Sequence, residues 1–228
     1  MITERECDFI ANDLYPTRSW LRRHYNFGKA RTDCHSVYHL ACGISAMSQL
    51  VPPTIGYFLG KEVYGNTYIL IVGPSTESRK GAAISIVERG LRLVYPQVVC
   101  DQPDSPAKLV DLLIENPKRL IIYEEFGDFL AASERGYLSP LRPRLTNLYD
   151  GCPVSRATVG KTKDKAATVV AFPRLSILGG STQDHLERYT LSIDYGGGFM
   201  GRLMTFKADR ERTYPPDTLQ RDLVEEFQ

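Results

Sequence analysis

Alternating strand and helix patterns predict an α/β fold: a mainly parallel sheet with helices on both faces, preceded by an N-terminal helical segment. Short, largely apolar runs such as Tyr68-Ile-Leu-Ile-Val72, Leu120-Ile-Ile-Tyr123 and Leu175-Ser-Ile-Leu178 have the composition of strands buried on both faces. Amphipathic segments of helical period run between them. Several strands end on residues able to do chemistry, namely Gly73, Glu124 with Glu125, and Ser181. Ligands of parallel sheets bind beyond such carboxyl ends.

In chain order, residues 1–53 read as helical. Trp20-Leu-Arg-Arg-His-Tyr25 is amphipathic, Ser36 to Leu50 is rich in small residues, and Val51-Pro-Pro53 ends the segment because proline lacks a donor and clashes with the preceding turn. Residues 54–212 form the core. Thr67 to Val72 is a strand, Gly81 to Val94 a helix, and Gln97 to Cys100 a short strand. Ser105 caps a helix with Pro106 in its first turn, and Leu120 to Tyr123 is the strand that ends on acids. Helices follow at Phe126–Ser133 and Leu138–Tyr149. Val154–Gly160 and Ala166–Ala171 flank Lys161-Thr-Lys163-Asp-Lys165 and read as a hairpin with a basic tip. Leu175 to Gly180 is a buried strand, Ser181-Thr182-Gln183 opens a helix to Tyr189, and Gly196 to Arg202 is a turn into the last strand, Leu203 to Phe206. Residues 213–228 form a tail read as a turn and a short exposed helix.

With 228 residues, 43% of them hydrophobic, the chain can bury one sizeable core. A net charge of +1 excludes a global basic field, so any nucleic-acid contact must come from a local patch. The cysteines (Cys7, Cys34, Cys42, Cys100 and Cys152) show no C-x-x-C spacing and read as reduced, mostly buried thiols rather than a disulfide or zinc framework. Cys34, His35 and His39 lack a further ligand at metal-binding spacing and read as a helix face. The charged start has no apolar signal region, and no run reaches the length of a membrane span, so a soluble, cytoplasmic protein is expected.

The most informative stretch runs from the strand at Tyr68 through Gly73-Pro74-Ser75-Thr76-Glu77-Ser78-Arg79-Lys80-Gly81-Ala82 into a helix. A strand, a loop of small residues, a lysine and a helix N-terminus form an arrangement that cradles a nucleotide triphosphate. Its amides and helix dipole face the phosphates, and its ammonium reaches the outer ones. The loop departs from G-x-x-x-x-G-K-[ST]: Pro74 and Arg79 stand at the glycine positions, Gly81 at the hydroxyl position, and Gly73 one residue early. Ser75, Thr76, Ser78 and Ser85 are all candidates for the Mg²⁺-binding hydroxyl. The second half of such a site is the strand end Tyr123-Glu124-Glu125, where one carboxylate holds Mg²⁺ and the other polarises the attacking water. Simpler roles compete throughout. The acids can cap the next helix, Ser181-Thr182-Gln183 can be an N-cap, Arg202 can be a surface residue, and the lysines can be a solvated turn.

The loop ending Arg79-Lys80-Gly81, the strand end Tyr123-Glu-Glu-Phe126, Leu148-Tyr-Asp-Gly151, Leu178-Gly-Gly-Ser-Thr-Gln183 and Gly197-Gly-Phe-Met-Gly-Arg202 occur in a familiar order. Over residues 35–210 the chain resembles the P-loop ATPase domain of phage, plasmid and mobile-element replication proteins, often found downstream of a primase–polymerase module. In that family too the lysine is followed by glycine. The resemblance implies a RecA/AAA+-like P-loop NTPase fold, ATP and Mg²⁺ as cofactors, single-stranded DNA as partner, and a homo-oligomer, commonly a hexameric ring. It further implies that Lys80 binds the β/γ-phosphates, with the backbone from Gly73 to Gly81 cradling them. Glu124 and Glu125 would share the metal and water-activating roles, with Glu124 placed on the metal. Ser181, Thr182 or Gln183 would sense the γ-phosphate, and Arg202 would be an arginine finger or sensor, in cis or toward a neighbour's nucleotide. Lys161, Lys163 and Lys165, with Arg156, would track DNA in the ring pore, and Arg142 and Arg144 would extend that patch.

The function expected is therefore the ATP-hydrolysing motor of a DNA helicase or translocase in replication of a mobile genetic element. The chain is read as part of a larger replication protein or as a naturally short subunit, with priming left to a separate primase domain or subunit. The alternative is a degenerate, non-catalytic P-loop module that binds nucleic acid or a partner ATPase. A third possibility is a small-molecule phosphotransferase, for which no acceptor motif is present.

Overall fold

The structure, a computed structural model, describes residues 3–52, 55–75, 78–134, 136–156 and 168–208. Thr76, Glu77, Lys161, Lys163, Lys165 and the tail 213–228 lie outside the described residues.

The N-terminal segment is helical, as its sequence predicts. Helix α1 (Glu4–Phe9) starts with a capping box between Thr3 and Glu6 and runs into a π-helical turn, Ile10–Leu14. Ser19 caps α2 (Trp20–Lys29), and the ring of His35 caps α3 (Ser36–Leu50) by accepting from the Val37 amide at 3.1 Å.

A hairpin of β1 (Ile55–Phe58) and β2 (Lys61–Tyr64) then precedes the central strand β3 (Tyr68–Val72). Helix α4 (Lys80–Val94), β4 (Val99–Cys100), α5 (Pro106–Glu115), β5 (Lys118–Tyr123), α6 (Phe126–Ala132) and α7 (Leu141–Tyr149) follow. Strands β6 (Val154–Arg156) and β7 (Thr168–Val170) pair antiparallel, as a hairpin requires. The chain continues through β8 (Arg174–Ser181), α8 (Gln183–Tyr189), α9 (Ser192–Gly196), a 3₁₀ turn (Met200–Arg202) and β9 (Leu203–Lys207).

One sheet of five parallel strands, in the order β4-β5-β8-β3-β9, organises the molecule. Its central strands bury both faces, and their side chains alternate between two apolar cores. Ile69, Ile71, Leu120, Ile122 and Leu178 join Tyr38, Ala83, Ile84 and Val87 under α1 to α4. Tyr68, Leu70, Val72, Ile121 and Ile177 join Leu109, Phe126, Leu145 and Leu186 under α5 to α8. Helices therefore cover both faces, in agreement with the expected α/β class.

The β1–β2 hairpin has no counterpart in the sequence reading. Its two-residue turn, Leu59-Gly60, holds both residues at positive φ, at 48° and 77°. Such turns normally announce themselves with Asn-Gly or Asp-Gly, and leucine conceals this one. Helix α9 likewise has no counterpart in the sequence reading, which meets it only at Gly196, the first residue of the expected turn. No helix among the described residues is long and apolar enough to cross a membrane. All five cysteines are free, and all but the exposed Cys152 are buried, as expected from their spacing.

Candidate functional site

Three adjacent strand ends build the site. The register sets Val72 of β3 opposite Ser181 of β8, and Tyr123 of β5 opposite Gly179 of β8. The loop after β3 and the acids after β5 therefore flank the end of β8, about 10 Å apart at two strand spacings. That span suits a phosphate and a cation.

The loop folds around Lys80. Its buried ammonium donates to the carbonyls of Gly73 at 2.8 Å and Pro74 at 3.0 Å, and to Ser78 Oγ at 3.3 Å. Ser78 in turn donates to the Pro74 carbonyl at 2.6 Å. Burial pulls the Lys80 pKa down, and the negative charge of Glu125 opposes that shift. The base of the loop is tight: Gly73 N–H donates to the Ser181 carbonyl at 3.2 Å, and the buried Tyr38 hydroxyl donates to the carbonyls of Val72 at 3.0 Å and Ala208 at 3.3 Å. A Cβ on Gly73 would stand 2.0 Å from that hydroxyl, so only glycine fits there.

Arg79, which occupies a glycine position of the phosphate-loop pattern, has φ 48° and ψ 36°. It adopts the left-handed conformation that glycine enters without penalty. Its guanidinium pairs with Asp33 at 3.1 Å. At Gly81, by contrast, a Cβ would meet nothing within 4 Å, so packing does not exclude a hydroxyl residue there. Ser75 and Pro74 are exposed on the outer side of the loop, and Ala82 and Ser85 lie half-buried in the first turns of α4.

Glu124 and Glu125 are exposed, and although the Glu125 carbonyl accepts from the Asp128 amide at 3.1 Å, neither carboxylate closes a hydrogen bond or ion pair with a described residue. Glu125 occupies the N-cap position of α6 without a side-chain capping bond, so the simpler reading reduces to its charge standing at a helix N-terminus. Gly180 lets this strand end approach: a Cβ there would lie 2.9 Å from the Glu124 carbonyl oxygen.

The three residues after β8 separate by role. Ser181 Oγ is fully buried at the strand end with no hydrogen-bond partner among the described residues, a costly state unless a ligand or water completes it. Thr182 is the N-cap of α8, accepting from the His185 amide at 3.2 Å. Gln183 is exposed and donates to Glu187 at 2.6 Å. Thr182 therefore acts as the cap, and Gln183 bonds along its own helix.

The sheet does not bring Arg202 to the loop. It precedes β9, whose five residues place it at the amino end of the sheet, roughly 16 Å from the loop end at about 3.3 Å per residue. There it forms a two-pronged pair with Asp150, at 3.1 and 2.5 Å, and also donates to the Gly198 carbonyl at 2.8 Å.

The expected basic patch shrinks. Arg142 is buried and paired with the equally buried Asp194, so it contributes no surface charge. Arg144 is half-buried and donates to the Pro106 carbonyl at 3.3 Å. Arg156 is exposed but pairs with Asp111 of α5.

Other features are self-satisfied. A cavity of about 540 Å³ opens between α6, α7 and the segment from Leu191 to Phe199, but its buried charges, Arg142 and Asp194, neutralise each other. His39 Nε2 lies 3.1 Å from Cys34 Sγ and 2.7 Å from Thr32 Oγ1, an internal network rather than a metal site. No group of three or more metal-ligating side chains occurs among the described residues.

Sequence reading missed Asp33 and Tyr38. Both reach the loop from the helical segment through tertiary contact alone, with no local spacing to reveal them. Compared with protein-family models and with curated proteins, the chain matches none.

Proposed function

We propose that this chain is the ATP-hydrolysing motor domain of a DNA helicase or translocase acting in replication of a mobile genetic element, built on a RecA/AAA+-type P-loop core. The observation that carries the reading is a buried lysine meeting an exposed carboxylate pair across adjoining strand ends, with the orphaned Ser181 hydroxyl between them. The donor set fits Mg²⁺ and a nucleotide: two unengaged carboxylates, a hydroxyl and a lysine. Bound Mg²⁺ neutralises phosphate charge there and lowers the barrier to attack by water.

Each residue then has a task. Lys80 exchanges the carbonyls of Gly73 and Pro74 for β/γ-phosphate oxygens. The backbone from Gly73 to Gly81 cradles the phosphates at the start of α4. Glu124 holds the metal, Glu125 accepts the proton of the attacking water, and Ser181 reads the γ-phosphate. Arg202 faces away from its own loop, so a finger role falls to a neighbouring copy in a ring, hexameric in the family resembled. Lys161, Lys163 and Lys165 would contact single-stranded DNA without sequence preference.

One observation favours the non-catalytic alternative: Lys80 already satisfies its ammonium on its own loop. Calorimetric titration with Mg·ATP separates the two. The motor reading predicts binding by the native chain and roughly 10- to 100-fold weaker binding by Lys80→Met, which keeps the buried stem but loses charge-assisted bonds to phosphate. A native chain that binds no ATP, and whose unfolding midpoint Mg·ATP does not raise, favours the module.

A further inference from the structure

We infer that Asp33, on the connection between α2 and α3, is a positioning residue for the phosphate loop, acting through Arg79; the inference rests on the nucleotide reading above. Of the described residues other than glycine, only Leu59 and Arg79 have positive φ. Leu59 sits in a hairpin turn, where the chain must reverse. Arg79 sits one residue before Lys80, where its left-handed backbone turns the lysine back over Gly73 and Pro74. A side-chain-bearing residue holds that conformation only if its surroundings compel it.

The compelling contact is the ion pair with Asp33. The Asp33 side chain is only 3% exposed, whereas that of Arg79 is 43% exposed. The pair joins a buried carboxylate on the helical segment to the Arg79 guanidinium, and so draws the Arg79 backbone toward that segment. Arg79 makes no side-chain capping bond to α4 that would do the same work. In a loop of the regular pattern glycine takes this conformation unaided; here an arginine and a distant aspartate replace it. The helical segment thereby becomes part of the nucleotide site rather than an appendage.

The test is a double-mutant cycle with two readouts, the dissociation constant for Mg·ATP and the unfolding midpoint without nucleotide. Asp33→Asn is expected to weaken Mg·ATP binding at least about 10-fold. Arg79→Gly takes the same backbone angles without an anchor, so its own affinity is the reference for the second arm of the cycle. Adding Asp33→Asn to Arg79→Gly is expected to change the affinity no further. The unfolding midpoints should be non-additive, reporting the ion pair directly. Undiminished binding by Asp33→Asn, or an equal loss in the Arg79→Gly background, overturns the assignment. A native chain that binds no nucleotide overturns the functional reading and this role together; non-additive midpoints would then leave the pair as a structural tether alone.

Discussion

Gly73→Ala is expected to destabilise the protein by roughly 3 kcal/mol or more, from overpacking together with loss of buried hydrogen bonds. The added Cβ would meet the Tyr38 hydroxyl at 2.0 Å and the Ala208 carbonyl oxygen at 3.0 Å. Tyr38 is fully buried and cannot swing aside, and its hydroxyl bonds the ends of β3 and of the segment after β9 together. The strain therefore falls on the corner from which the loop that carries Lys80 departs. Urea unfolding of four proteins checks it: native, Gly73→Ala, Tyr38→Phe and the double variant. Removing the hydroxyl makes room for the Cβ, so the double variant should be more stable than the sum of the single losses. Strict additivity would show that the clash is relieved elsewhere.

Mild acid is expected to unfold the protein through its helical segment. His24 and His39 are fully buried. Burial pushes the pKa of His24 down to about 4, and burial followed by the charge of His24 pushes that of His39 down to about 3, both from an ordinary 6.5. Above pH 6.5 both rings are neutral whether the chain is folded or not, and they add no pH dependence. Below 6.5 the unfolded chain takes up two protons that the native state refuses, so stability falls as pH drops toward 4 and 3. At about 1.4 kcal/mol per pH unit for each ring, the loss reaches roughly 5 kcal/mol by pH 4.5, a large share of a typical domain's stability. Denaturant unfolding between pH 7.5 and 4.5 measures the slope. His24→Phe should roughly halve it, whatever the variant does to stability at pH 7.5. An unchanged slope would assign acid sensitivity to the carboxylates instead.

What could be read from the chain follows from where each residue's conformation is decided. Strands β3, β5 and β8 were legible because both faces are buried, which demands uninterrupted apolar runs. The positions of Gly73, Glu124 and Ser181 at strand ends were legible because each closes or directly follows such a run. The conformation of Arg79 was not, because Asp33 imposes it from another segment. Arg142 looked like part of a basic patch because its partner, Asp194, lies 52 positions along the chain. Thr182 and Ser181 are neighbours with opposite fates, one capping a helix and the other buried without a partner, and only three-dimensional placement distinguishes them.

Steady-state ATP turnover with Mg²⁺, measured with and without single-stranded DNA beside Glu125→Gln, tests the account most directly. Turnover that DNA stimulates is expected, and Glu125→Gln should lower it by roughly 10²- to 10³-fold, since the amide cannot accept the water's proton. Absence of turnover in a native chain that binds Mg·ATP, or turnover indifferent to Glu125→Gln, would contradict it.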